Sequence, residues 1–242
     1  MRILILSDIH ANLTALEAVL AAAGRIDAVW CLGDMIGYGP DPNECVARMR
    51  NLPSLACVIG NHDAAALRHI ETDTFNPEAR LALHWTRSSL SEANLAFLAA
   101  LPEKVVLNDV TLTHGSPRYP VWEYLLDNRT ATQAFEHFDT SFCMVGHTHL
   151  PVIFSLTEMM SMARLIIPEP NTRFSLPPRA ILNPGSVGQP RDRDPRASFL
   201  IYEPGSQTWE YRRVNYDIAS VQERMIDAGL PDRHIQRLAA GW

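Results

Sequence analysis

The 242-residue sequence is most informative at first for what it lacks. No uncharged apolar run approaches the roughly 20 residues needed to cross a bilayer. The opening Met1-Arg2 leads into Ile3–Leu6 and then Asp8, too short an apolar stretch for a secretory leader. The four cysteines, Cys31, Cys45, Cys57 and Cys143, form no C-x-x-C pair, and three of them sit in apolar runs. That pattern suits buried thiols of a reducing compartment, so a cytoplasmic protein with no membrane association is expected. Basic charge is also short. The formal net charge of −6 argues against a face built to grip duplex nucleic acid, though not against a phosphorylated substrate. No repeat, low-complexity tract or linker interrupts the chain, which predicts a single domain over residues 1–242.

What is present has a recurring build. Five apolar runs each end in groups able to bind a metal: Ile3–Leu6 before Asp8 and His10, Val29–Leu32 before Asp34, Leu55–Ile59 before Gly60-Asn61-His62-Asp63, Thr111–Thr113 before His114, and Cys143–Val145 before His147 and His149. The intervening segments supply helices. Asn12 caps one that carries Leu13, Leu16, Val19 and Leu20 on one face and stops at Gly24. Pro42–Arg50 is another, and residues 64–101 read as wholly helical, with starts at Asn76-Pro77 and Ser91. Later strands are predicted over 104–107 and 110–113, joined at Asn108-Asp109, then over 141–145, 151–156, 198–202 and 208–214. Thr130–Phe138 and the stretch after Ile218 are predicted helices. Met159–Pro178 has no clear periodicity. The fold class expected is α/β (α+β), with two layers of mixed sheet flanked by helices, and with the donors gathered beyond the carboxyl ends of strands.

Asp8-x-His10 and His147-x-His149 share an i, i+2 spacing, which in an extended segment puts both side chains on one side. With Asp34, Asn61 and His114 they make seven oxygen and nitrogen donors and no thiolate. Such a set suits Mn²⁺, Fe²⁺, Zn²⁺, Co²⁺ or Ni²⁺ better than Ca²⁺ or Mg²⁺. Seven donors exceed the needs of one ion and fit two divalent ions that share a carboxylate.

In order along the chain these blocks are D-x-H, G-D, G-N-H-D, a lone histidine and G-H-x-H, and they resemble the signature of the calcineurin-like metallophosphoesterase superfamily. The resemblance implies a first metal on Asp8, His10 and His149, a second on Asn61, His114 and His147, and Asp34 bridging them, with manganese or iron favoured. It implies the metallophosphoesterase fold and a phosphodiesterase or phosphatase. Two cations roughly 3.5–4 Å apart would generate a hydroxide at neutral pH, with His62 donating a proton to the departing oxygen. Asp63 either orients His62 or caps the helix that follows.

The segment Gly33-Asp34-Met35-Ile36-Gly37-Tyr38 departs from the G-D-x-V-D-R-G of serine/threonine protein phosphatases. It is closer to small stand-alone prokaryotic relatives, some of which act on phosphodiesters or dinucleoside polyphosphates. A small phosphorylated substrate, nucleotide-like, is therefore expected, and the sequence decides nothing between a monomer and a homo-oligomer. Arg191, in the glycine-bearing loop Gly185–Arg196, and Tyr38 are candidate substrate contacts. Tyr119, Trp122 and Tyr124 would either pack locally or stack a nucleobase. His69 and His84 read as helix-face residues.

Overall fold

The computed structural model describes residues 1–69 and 75–242. In order the elements are β1 (Ile3–Leu6), α1 (Leu13–Ala23), β2 (Ala28–Cys31), α2 (Pro42–Arg50), β3 (Leu55–Cys57), α3 (Asn61–Ala66), α4 (Pro77–Ser89) and α5 (Glu92–Ala99). There follow β4 (Lys104–Leu107), β5 (Val110–Thr113), α6 (Asn128–Ala134) with a 3-10 turn at Phe135–His137, β6 (Phe142–Met144), β7 (Pro151–Ser155), β8 (Arg164–Ile166) and β9 (Thr172–Ser175). The chain closes with β10 (Ala180–Pro184), β11 (Ala197–Glu203), β12 (Thr208–Val214), α7 (Ile218–Asp227) and α8 (Asp232–Ala240).

Two six-stranded mixed sheets face each other, in the orders β3-β2-β1-β11-β12-β9 and β4-β5-β6-β10-β7-β8. The period-2 alternation of side chains along each strand sorts the residues into layers. In β1, Ile3 and Ile5 point into the space between the sheets, while Leu4 and Leu6 point out against the helices. β11 does the same, with Leu200 and Tyr202 inward and Phe199 and Ile201 outward. In the second sheet, Ala180 and Leu182 of β10 face inward and Ile181 faces the α6 layer. Strands with both faces covered read as continuous apolar runs, which is why β1 shows no polar position. Trp209 anchors the inter-sheet space, stacked on Tyr202 with ring centroids 3.7 Å apart.

Local chemistry sets the helix ends. The Asn12 side chain accepts from Ala15 N at 3.0 Å to start α1, and Asn76 accepts from Ala79 N at 2.8 Å ahead of the first-turn Pro77 of α4. Each such cap is worth about 1 kcal/mol.

The structure differs from the sequence reading in three places. The stretch 64–101 starts helices at Asn76-Pro77 and Ser91 as read, but it is not helical throughout, since α3 ends at Ala66 and α5 at Ala99, and its residues 70–74 lie outside those described. β3 ends at Cys57, because Ile59 N leaves the sheet to bond Pro102 O. Met159–Pro178 supplies two edge strands to different sheets: β8 pairs with β7 and β9 with β12. Edge strands with one face in solvent carry the mixed polarity that hid them.

Candidate metal centre

The strands β1, β2, β3, β5 and β6 run so that the segments after them meet at one end of the two sheets. All seven predicted donors come together there. Asp8, His10 and His149 offer ligand atoms within 4.8 Å of one another, and so do Asp34, His114 and His147. Asn61 joins the second group, its Oδ1 lying 3.0 Å from His114 Nε2. Asp34 Oδ2 lies between the groups, 3.7 Å from His10 Nε2 and 3.4 Å from His114 Nε2.

The i, i+2 pairs do not converge through a β pleat, as their spacing suggested. β1 and β6 have ended before them, and the backbone turns left-handed at Asp8 (φ 54°), His10 (φ 48°), Asp34 (φ 52°), His147 (φ 66°) and His149 (φ 61°). Five of the seven donors thus occupy a region that non-glycine residues seldom adopt, a concentration of strain typical of functional sites. Glycines make the close approaches possible. A Cβ on Gly60 would collide with the Asp34 carboxylate, and one on Gly37 (φ +94°) would lie 2.6 Å from His62 Nδ1.

Backbone carbonyls fix the imidazole tautomers. His10 Nδ1 faces Ile36 O at 3.1 Å, His149 Nδ1 faces Gln189 O at 2.6 Å, and His114 Nδ1 faces Leu32 O at 2.7 Å. A carbonyl only accepts, so each Nδ1 carries a hydrogen; in the neutral rings of His10 and His149 Nε2 then presents its lone pair to the centre, and His114 would do so once a cation displaces its second proton. His10 Nε2 and His149 Nε2 then face each other at 3.1 Å, with burial pushing both rings toward the neutral form. Asp8 Oδ1, 3.3 Å from His149 Nε2, is buried with no hydrogen-bond partner. Acceptors directed at one point with no hydrogen to share are the signature of a cation site, so the residues present fit metal ions.

Charge is distributed unevenly across the cluster. Burial pushes Asp8 up to about 7 and Asp63 up to about 7. Burial acts on Asp34 in the same direction, but His114, His62 and His10 outweigh it and hold that carboxyl well below its usual range. His114 is the counterpart: burial opposes its charge, the Asp34 carboxylate overcomes that, and the ring rises to about 9. Burial pushes His62 down to about 4 and also lowers His147.

The other candidates have definite places. His62 sits in the first turn of α3, its backbone N–H donating to Asp34 Oδ1 at 2.9 Å, its ring edge-on to Phe75 at 5.0 Å and its Nδ1 buried without a partner. The Asp63 carboxylate accepts from the backbone N–H of Gly60 (3.1 Å), Ile36 (3.3 Å) and Met35 (3.4 Å), which ties α3 to the loop after Asp34 rather than to His62. Tyr38 packs between His10 and His62, with centroids 4.6 and 4.4 Å away, and the Arg191 guanidinium lies over its ring. Tyr124 stacks on His147 at 3.7 Å while 47% exposed, and Trp122 meets Phe75 edge-on. Tyr119 is exposed, with Arg118 over its ring.

The sequence reading missed the supports. Ser186 Oγ donates to Asp8 O, Gly188 N–H donates to the same carbonyl, and Asn183 Nδ2 donates to Gly146 O. These residues belong to β10 and the loop Gly185–Arg196, whose density of glycine and hydroxyl groups was the available signal.

The description of the calcineurin-like phosphoesterase superfamily domain matches residues 1–207. The chain belongs to that superfamily. Membership implies hydrolase activity, and the His and Asp groups above are where metal would be held. The crystal structure of a metallophosphoesterase from Sphaerobacter thermophilus is 49% identical, with a TM-score of 0.92 over 100% of this chain and 99% of that one. An uncharacterized protein of Methanocaldococcus jannaschii is 37% identical over 99% of this chain and 98% of its own length. A symmetrical bis(5'-nucleosyl)-tetraphosphatase of Pectobacterium atrosepticum is 30% identical over 34% of this chain and 35% of its own length. The two-sheet fold of this superfamily member is shared at 19% identity and a TM-score of 0.83 with a protein of Pyrococcus horikoshii. No helix among the described residues is long and apolar enough to cross a membrane.

Proposed function

We propose that this chain is a dinuclear metal-dependent phosphoesterase that hydrolyses a phosphodiester, phosphomonoester or phosphoanhydride bond of a small nucleotide-like substrate. The observation that carries the reading is the pair of facing lone pairs on His10 and His149 beside the orphaned Asp8 Oδ1. Asp8, His10 and His149 would hold one divalent ion, Asn61, His114 and His147 the other, and Asp34 would lie between them. Two such ions, manganese or iron in preference, would make water a nucleophile at neutral pH and offset charge on the phosphoryl oxygens. His62 donates a proton to the departing oxygen; its burial favours the neutral ring, and an anionic substrate beside it pulls the charged form back within reach. Asp63 keeps the Met35–Ile36 backbone against α3, so His62 and Asp34 hold one mutual geometry. Arg191 and Tyr38 line the approach for the substrate.

A dinucleoside polyphosphate is the runner-up substrate, supported by the partial match to the tetraphosphatase and by Tyr124 and Trp122, whose exposed rings flank the centre. Protein phosphatase activity is disfavoured, since Gly37 and Tyr38 stand where those enzymes carry an acid and an arginine. The test is turnover of bis(p-nitrophenyl) phosphate with Mn²⁺, followed by a screen of nucleotides, dinucleoside polyphosphates, cyclic diesters and phosphopeptides. Turnover abolished by chelator and by His62→Ala supports the proposal. Preference for phosphopeptides overturns the substrate ranking, and bound metal without turnover of any ester would mark a non-catalytic scaffold.

A further inference from the structure

The partly buried arginines of this chain are satisfied in different ways, and Arg87 and Arg179 donate to backbone carbonyls. Arg196, Arg213 and Arg224 each sit against a carboxylate, those of Asp194, Asp192 and Asp41. Arg191 and Arg237 make no ion pair within 4.0 Å among the described residues, although the Asp8 carboxyl feels the charge of Arg191 and Arg237 feels that of Glu78. Arg191 donates to Gln189 Oε1 at 3.1 Å and lies close enough to Tyr38 to interact with its hydroxyl, while its Nε is buried without a partner among the described residues. Arg237, on α8, lies over the Trp242 ring at 5.7 Å, and its Nε is likewise buried and unpartnered.

Both belong to segments that meet at Tyr38. The Arg191 guanidinium carbon is 5.9 Å from the Tyr38 ring centroid, and His234, one turn before Arg237 on α8, has its ring 4.5 Å from the Tyr38 ring. Burial first and then the charge of Arg191 lower Arg237, so the two cations repel where water is scarce. Buried N–H groups on adjacent unpaired guanidiniums are costly unless an anion accepts from them. Arg191 lies within the superfamily match at residues 1–207 and Arg237, on α8, lies beyond it.

We propose that Arg191 and Arg237 form an anion subsite beside the metal centre that takes the second phosphate of an oligophosphate substrate. The inference rests on the phosphoesterase reading only for the place of the scissile phosphate. Guanidinium forks match phosphate oxygens bidentately, and Tyr38 puts the fork within one side chain of His10 and His62.

Calorimetric titration of the metal-loaded full chain tests this, with inorganic phosphate and tripolyphosphate as titrants and the same free metal in cell and syringe. The wild-type chain binds tripolyphosphate more tightly than phosphate, and Arg237→Gln lowers that ratio by about 10-fold or more. Arg191→Gln lowers it likewise, which keeps the test open if one variant fails to fold. Arg233→Gln removes an exposed arginine on the same helix, 3.7 Å from Glu78, and leaves the ratio within about twofold. Equal loss for both titrants, an equal effect of Arg233→Gln, or no wild-type preference for tripolyphosphate overturns the subsite. Arg237-dependent binding without turnover of any ester would keep the subsite and discard the hydrolase; turnover without that dependence would do the reverse.

Discussion

The two halves of the metal centre are built differently. In the first, Asp8 brings a full carboxylate, Ser7 Oγ and His147 N–H both donate to its Oδ2, and the rings of His10 and His149 are each pinned by a backbone carbonyl. Tyr38 and the C-terminal helices close over it. In the second, Asn61, His114 and His147 are neutral donors when an ion is bound, and the only carboxylate is the shared Asp34. His147 Nε2 has no partner, and its ring is covered by half-exposed Tyr124. A donor set with its own charge and a full complement of supporting hydrogen bonds holds a cation more tightly. If both halves hold an ion as proposed, the first half is expected to keep its ion and the second to exchange it more readily.

The largest effect should come from the residue both halves share. Asp34→Ala is expected to lower kcat by at least about 10³-fold and to reduce bound metal below one ion per chain, measured by turnover and elemental analysis. Retention of two ions would end the bridging assignment. His62→Ala should cost about 10²–10⁴-fold in kcat while both ions stay, which separates proton donation from metal binding. His149→Ala and His147→Ala sharpen the contrast between halves. Under dialysis against a weak chelator, the first should lose both ions and the second only one, with affinity changes of about 10–100-fold or more. Equal losses would erase the asymmetry.

A pH effect should single out the closed side. His234 is fully buried beneath Tyr38, and burial, followed by the charge of Arg237, pushes it down to about 4. Unfolded, the same ring takes up a proton near 6.5, so between pH 6.5 and about 4 the unfolded state binds more protons and folding weakens as pH falls. The loss is on the order of 3 kcal/mol at the acid end of that window. His234→Phe should flatten the difference in urea midpoint between pH 7.5 and pH 5 relative to wild type. The smallest effect is expected from Tyr124→Ala, a loss of about 10-fold or less in affinity for the second ion.

Much of this centre was legible in the sequence because each donor follows an apolar run, and a run buried on both faces must end where the sheet does. Ile3–Leu6 before Asp8 and Phe142–Met144 ahead of His147 show the pattern plainly. The tautomer-fixing acceptors could not be read, since Leu32, Ile36 and Gln189 act through carbonyls that any residue possesses. The left-handed turns were hidden for a related reason: Asp and His adopt positive φ more readily than most side chains but far less often than glycine, so their presence alone marks no turn. Arg237 was invisible because only the packing of α8 on Tyr38 brings it near Arg191. β8 and β9 escaped notice because edge strands lack a clean alternation.

The grip of Ser186 on the Asp8 carbonyl spans 178 positions in the chain, and that of Asn12 on Gly188 spans 176. The loop of the earliest candidate donors in the chain therefore waits for a segment 176 to 178 residues later before it can settle. Such distant closures slow folding and leave half-made histidine clusters open to whatever ion is at hand. The loop that carries Asp8 is thus completed only when β10 and the turns after it are in place.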